Sequence, residues 1–410
     1  LLFLQGALGV DGPNTGPGQP PPNAAGPWDA DVIVYRVDAT GKAEKTASFD
    51  RAGVPTVARM KDGRLIAARQ YFPENDRANF DKVAVHFSAD EGRNWTTPEV
   101  ITVSGMPEGM RFPFDPTMVA LPDGRMRLYF TSMQGRRFEE HTPGIYSAVS
   151  TNGIDYTFEP GARFAVEGRP VIDCAVALHN GVFHLFSPDN GASEKREEGN
   201  RNGPPQMTGE EGLGYHATSK DGLNFTRQPD LKIDGRRRWL GNARSDGKVI
   251  TFIGTGQPFD LPLVPGQRAG NIWMATSTDG QAWKLIKSPA LMGADPGAVA
   301  TKDGGLVIVT SGEPRPGTPS ANRMRPNNGN ENFQNFRPQP LPVMTALDAD
   351  NDGTLNASEI AHASAALKTL DRDGNGRLTP DELRPMGMGQ PRTQGDGQFR
   401  PEGQPPAPRN

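Results

Sequence analysis

Cysteine is almost absent: Cys174 is the only one in 410 residues. That excludes an internal disulfide and argues against a cysteine-ligated metal. A basic excess is absent too. The formal net charge is -4, which points away from nucleic acid as a partner. Long apolar runs are missing after the first few residues. Nothing approaches the ~20 residues needed to cross a bilayer, so no membrane span is expected. Between residues 31 and 311 no amphipathic helical repeat of useful length occurs.

Glycine (49) and proline (39) are abundant, about a fifth of the chain. They separate short β-like runs such as Val32-Ile33-Val34-Tyr35 and Met126-Arg127-Leu128-Tyr129-Phe130. The expected class is therefore all-β. Five segments are expected: residues 1–27, a Gly/Pro stretch after an apolar start; 28–312, the β region; 313–343, a linker; 344–385, a calcium module; and 386–410, a Pro/Gly/Gln-rich tail. The start, Leu1-Leu2-Phe3-Leu4-Gln5-Gly6-Ala7-Leu8-Gly9, looks like the end of a signal-peptide apolar region, which implies a secreted or periplasmic protein. A long polar insertion, residues 187–214, interrupts the β region and reads as a lid or a solvated loop.

Two repeats organise the β region. One is a turn, Ser-x-Asp-x-Gly-x-x-Trp, seen as Ser88 to Trp95. Shorter forms run from Ser219 to Phe225, Ser277 to Trp283 and Ser150 to Tyr156. Asp or Asn caps backbone amides, Gly takes positive φ, and the aromatic packs beneath. The other is a short inner strand, often opened by Asp-Pro. Its copies start at Val54, Asp115, Asp173, Trp239 and Asp295, a period near 60 residues. Five copies predict a five-bladed β-propeller, with six blades as the alternative. The last blade has only two strands after Asp295. Its outer pair is expected from the N-terminus, around Val32–Arg36 and Ala43–Phe49.

In a propeller the innermost strands line the channel. They supply Asp115, Asp173 and Asp295, with Arg111 and Arg169 four residues upstream of the first two, and Trp239, Asn242 and Arg244 from the next blade. Carboxylates beside arginines and a tryptophan platform suit sugar recognition, and two could divide acid and base roles. An Asp-Pro at a strand start also caps turns, so a structural reading stands beside this one. His86, His179, His184 and His216 lack paired ligand spacing and are expected to be packed.

The calcium module holds two twelve-residue EF-hand patterns. The first would ligate through Asp348, Asp350, Asp352, Thr354, Asn356 and Glu359. The second would use Asp371, Asp373, Asn375, Arg377, Thr379 and Glu382, with Thr354 and Arg377 offering backbone carbonyls. Two Ca2+ ions are expected. The loops start only 23 residues apart, so one shared helix must join them. A sensor needs separately moving helices, so a structural or buffering pair is expected.

The turn repeats resemble the Asp-box (BNR) repeats of sialidases, over residues 54–311. The acid-bearing inner strands resemble those of five-bladed glycoside hydrolases of the arabinanase, xylosidase and invertase kind. That resemblance implies Asp115 and Asp173 as catalytic carboxylates, Arg111, Arg169, Trp239, Asn242, Arg244 and Asp295 as substrate-binding groups, and a glycan or other small molecule in the channel. The competing reading is a non-catalytic propeller that binds glycan or protein, its EF-hand pair a structural or docking module for a protein partner.

Overall fold

The computed structural model describes residues 26–135, 141–191, 212–233, 237–256, 272–316, 318, 346–347, 357–371 and 374–379. The expected signal segment, most of the 187–214 insertion, most of the linker and the tail lie outside these residues. The chain divides into two compact units, Leu1–Asn327 and Asn328–Asn410.

The first unit is a five-bladed propeller of five separate antiparallel-based sheets. Its N-terminal strands, β1 (Ala30–Val37) and β2 (Ala43–Phe49), do not open a blade of their own. Blade 1 is β3 (Ala52–Arg59), β4 (Leu65–Tyr71), β5 (Lys82–Ser88) and β6 (Glu99–Val100). Blade 2 is β8 (Phe114–Ala120), β9 (Met126–Ser132), β10 (Gly144–Ser150) and β11 (Asp155–Phe164), with β7 (Thr102–Ser104) parallel on its outer edge. Blade 3 is β12 (Ala175–His179), β13 (Val182–Pro188) and β14 (Leu213–Ser219), with β15 (Thr226–Arg227) and β16 (Leu231–Lys232) outside. Blade 4 is β17 (Gly241–Ser245), β18 (Ile250–Thr255), β19 (Ile272–Ser277) and β20 (Lys284–Ile286).

Blade 5 is β21 (Ala294–Ala300) and β22 (Leu306–Pro314), completed by β1 and β2 in the order β2-β1-β22-β21. Val34 pairs with Val309 there. The ring is thus closed by the two chain ends, as the two-strand deficit after Asp295 requires, and five blades replace the six-bladed alternative. Closure leaves neither end of the sheet series unpaired.

The core is distributed over five interfaces. One apolar cluster lies between each neighbouring pair of blades, from Ile66, Val85 and Leu128 between blades 1 and 2 to Val34, Leu65 and Val309 between blades 5 and 1. Burying each such side chain contributes about 1.5–3 kcal/mol. Alternate residues of a strand face opposite neighbours, so strands such as β4 and β9 are apolar on both sides.

The four turn repeats share one hydrogen-bond pattern. In blade 1, Ser88 Oγ donates to Asp90, and the Asp90 carboxylate accepts the amides of Arg93 and Asn94. Ser219–Asp221, Ser277–Asp279 and Ser150–Asn152 repeat it. The turn glycine does more than take positive φ. A Cβ on Gly153 would lie 2.5 Å from Ile66, and one on Gly222 would lie 2.7 Å from the Tyr129 hydroxyl. Each turn therefore packs on the preceding blade, away from the channel. The histidines are packed as well: His184 and His216 stack at 5.3 Å.

In the second unit, α1 (Ala357–Lys368) is the single helix expected between the loops. Among the described residues no helix is long and apolar enough to cross a membrane.

Candidate functional site: buried carboxylates in the channel

Three of the five innermost strands begin on a bulge. The ladder slips between Gly53 and Thr56, Phe114 and Thr117, and Ala294 and Gly297. At each slip one residue is left-handed: Val54 (φ 46°), Asp115 (φ 49°) and Asp295 (φ 50°), with Asp173 (φ 62°) at the matching place in blade 3. This conformation costs about 1–2 kcal/mol for a non-glycine residue, and aspartate tolerates it better than most. Proline follows in three of the four, at Pro55, Pro116 and Pro296. It has no N–H to lose where the ladder is interrupted.

Hydroxyls of the preceding blade hold the bulges. Thr131 Oγ1 accepts the Asp173 N–H at 3.0 Å, Thr255 Oγ1 that of Asp295 at 2.8 Å, and Ser311 Oγ that of Val54 at 3.1 Å. The Thr131 hydroxyl is also near enough to Asp115 to favour its ionised carboxyl.

The three carboxyls are 4%, 9% and 4% exposed for Asp115, Asp173 and Asp295. Their charges act on one another. Burial raises Asp115 to about 7, with Asp295 adding to the rise and Arg111 and Thr131 opposing it. Asp173 is pushed well above the carboxylate range by burial, then by Asp115 and Asp295, against Arg238. Burial raises Asp295 to about 6, again against Arg238. Oδ2 of Asp115 and Oδ2 of Asp295 are buried with no hydrogen-bond partner among the described residues. Such acceptors are costly to leave unmet and suit a hydroxyl-bearing ligand.

The arginines divide. Arg111 lies over the Phe114 ring at 4.1 Å and pairs with Asp81 at 2.7 Å. It is close enough to bias Asp115. Arg169 pairs with Asp189 at 2.8 Å and donates to the Tyr215 hydroxyl at 3.0 Å; it is not among the charges acting on the three aspartates. The second cation at the carboxyls is Arg238, which also donates to Asn190 Oδ1 at 2.8 Å. Sequence reasoning passed it over. It stands among basic neighbours just before the Trp239 repeat, and its place one residue ahead of that repeat was the available signal.

Two expected ligand contacts are corrected. Trp239 is 1% exposed and enclosed by Phe186, Phe252, Trp273 and Trp283, with its indole N–H donated to the Gly212 carbonyl. A ring so enclosed presents no face as a sugar platform. Arg244 lies near the far end of β17 and lines a separate cleft with Lys287 and Gly305. Three residues along a strand displace it about 10 Å from the start of β17.

Asn242 has a different task. Its Oδ1 accepts the Thr56 hydroxyl at 3.1 Å. Thr56 belongs to blade 1 and Asn242 to blade 4, which are not neighbours in the ring, so this bond spans the channel. Thr56 is fully buried, so the bond closes the channel at that level and makes a cup of it. Cys174, beside Asp173, is free and buried. No group of three or more His, Cys, Asp or Glu among the described residues is placed to hold a metal ion.

In the second unit, the described part of loop two has the form that oxygen ligation needs. Asp371 accepts the amides of Asn375 (3.1 Å) and Gly376 (2.7 Å), and Asn375 Oδ1 accepts the Arg377 N–H at 2.8 Å. Gly376 makes the sharp turn at φ 76°. Glu359, last of loop one, is 7% exposed at the start of α1. The expected ligands Asp348, Asp350, Asp352, Thr354, Asn356, Asp373 and Glu382 lie outside the described residues.

A family model described as "EF hand" matches residues 364–386, which contain loop two. Residues 364–386 therefore carry an EF-hand signature. No curated protein matches the chain. Among solved structures, an N-acetylgalactosamine deacetylase from F. plautii is similar at 13% identity and TM-score 0.44, covering 69% of this chain and 86% of that one. An alpha-L-arabinofuranosidase from Clostridium thermocellum is similar at 14% and 0.42, covering 62% and 80%. A protein of unknown function from Dyadobacter fermentans is similar at 15% and 0.41, covering 66% and 79%. The chemistry of the channel rests on this chain's own residues.

Proposed function

We propose that the channel cup is a hydrolytic site for a glycosidic bond, in a protein that also carries calcium. The observation behind this reading is the set of three buried, mutually repelling aspartates with two cations beside them. Three such carboxyls cannot all be ionised together near neutrality, so a proton is retained among them. Asp173, driven furthest toward the neutral form, is the general acid. The ionised share falls on Asp115 and Asp295, which face Arg111 and Arg238 and serve as base or nucleophile and as a hydroxyl-orienting group. Thr131 holds the Asp173 backbone in place. Turnover of a panel of aryl glycosides, sialosides included, tests this reading. Activity should be present in the native protein and lost in both D115N and D173N. Full activity in both variants would remove the site assignment.

The binding-only reading has an observation of its own: none of the five innermost strands carries a glutamate. Retention on a glycan array without turnover of any arrayed glycan would favour it.

For the second unit we propose two bound Ca2+ ions. Asp371, Asn375, Thr379 and the Arg377 carbonyl would hold one, with Asp373 and Glu382. Glu359 would close the other. A cation there fixes loop backbone and neutralises the acidic set; α1, shared by both loops, leaves no helix pair free to open. Export, if it holds, would keep such sites loaded. Calorimetry should show two calcium sites, both lost in the E359Q/E382Q double variant.

A further inference from the structure

We propose that the cleft between blades 5 and 1 is a second ligand site, independent of the channel, that takes a small carboxylate borne on a ring and holds it through Arg69. The cleft has a volume of about 540 Å³ and is lined by Phe49, Arg69, Tyr71, His86 and Trp95. Arg69, on β4, is 2% exposed. The half-buried Arg111 and the buried Arg127 each pair with a carboxylate, Asp81 at 2.7 Å and Glu159 at 2.9 Å. Among the described residues Arg69 has none within the same range: Asp31 and Asp50 act on it only as more distant charges.

Its neighbours do not offset its charge. His86 Nδ1 is 2.7 Å from the Thr96 carbonyl, which requires the proton on that nitrogen. His86 Nε2 is then the acceptor for Arg69 Nε at 3.1 Å, so the imidazole is neutral. Burial holds His86 down to about 4, consistent with that assignment. The remaining contacts carry no charge either: Nη1 donates a long hydrogen bond to the Gln70 carbonyl at 3.5 Å, and the rings of Tyr71 and Phe49 lie 4.7 Å and 5.8 Å from the guanidinium. A guanidinium without a counter-charge is costly to bury, and a planar carboxylate matches its donor fork.

The walls select the rest of the ligand. Phe49 stacks on His86 at 3.9 Å and meets Trp95 edge-on at 5.7 Å. That leaves the partly exposed Tyr71 and Trp95 as the ring surfaces that suit a flat or cyclic body. At the rim, Arg51 is engaged by Glu74 at 2.9 Å, and Asp50 and Arg93 are exposed with opposite charges. Among the described lining residues, Arg69 is thus the one buried cation.

The test is a titration of the full chain with sodium benzoate and, as the uncharged counterpart, benzyl alcohol, read by calorimetry and tryptophan fluorescence. Benzoate should bind with a Kd of about 1 mM or tighter, and benzyl alcohol at least ten-fold more weakly. R69Q should lose at least ten-fold in benzoate affinity, R69K should lose less, and D115N should match the native protein. Equal binding by R69Q, loss in D115N, or no heat with benzoate up to about 10 mM would overturn the proposal. Should R69Q fail to fold, native crystals soaked in benzoate decide: a carboxylate on the Arg69 guanidinium supports the site, and its absence there refutes it.

Discussion

Asp90, Asp221 and Asp279 sit in the outer turns of blades 1, 3 and 4, while Asp115, Asp173 and Asp295 sit at the inner ends of blades 2, 3 and 5. Both sets recur with the blade repeat, and both open a short motif. The turn aspartates are solvated and accept three or four N–H and O–H donors each, which holds their carboxyls below the usual range. The channel aspartates are buried, short of donors and close to one another, which raises them. The same side chain is thus a cap where backbone amides converge on it, and a proton-holding group where they do not. Donor supply and water access, more than motif, separate scaffold from site.

The largest effect expected from this contrast is on turnover. D115N or D173N should lower kcat by at least about 10³-fold, as removal of an acid–base or nucleophilic group does. D90N and D221N should leave kcat within about two-fold, because their losses fall on stability. Steady-state rates on the best aryl glycoside found would show the split. A turn variant as inactive as a channel variant would erase the distinction.

Next come the turn glycines. G153A and G222A place a Cβ against the preceding blade and force a left-handed alanine, which should cost about 2–4 kcal/mol. D221A should cost less, about 1 kcal/mol, for the lost caps. Urea midpoints, with unchanged slopes, would measure both.

The pH dependences should run in opposite directions. A carboxyl raised on folding contributes stability fully present below about 4, and lost as pH rises through about 6 for Asp295 and about 7 for Asp115. A carboxyl lowered on folding contributes stability above its unfolded range and loses it as pH falls. D295N should therefore stabilise the protein more at pH 8 than at pH 5, while D221N should destabilise it at both. Melting temperatures across that range would show the crossing. The smallest effect is across units: E359Q/E382Q should abolish calcium heats and leave the propeller's melting temperature within about 1 °C, as ~0.3 kcal/mol or less would.

Much of the ring was readable because its repeats are local. The bulges carry a Pro after the left-handed residue, the capped turns carry Asp or Asn two residues after a Ser with a Gly close behind, and the two-strand deficit after Asp295 demands N-terminal closure. The site was half readable. Inner-strand placement selects Asp115, Asp173 and Asp295, yet no spacing rule says that Thr131 takes the Asp173 amide or that Asn242 bonds across the channel to Thr56. Those depend on which blades meet. Trp239 misled because a tryptophan at a repeat start serves a core as readily as a channel, and packing among Phe186, Phe252 and Trp273 decides it. Arg238 and Arg244 exchange roles for a similar reason: strand direction, not proximity in sequence, sets which arginine reaches the carboxyls.

The central claim is that the three channel aspartates hold a proton near neutrality. Carbon-13 NMR of aspartate-labelled protein, titrated from pH 3 to 9 in the native chain and in D115N, D173N and D295N, reads it directly. At least one carboxyl should titrate near pH 7 in the native protein, and substitution of any of the three should move the others downward. Three carboxyls titrating independently near pH 4 would contradict the account.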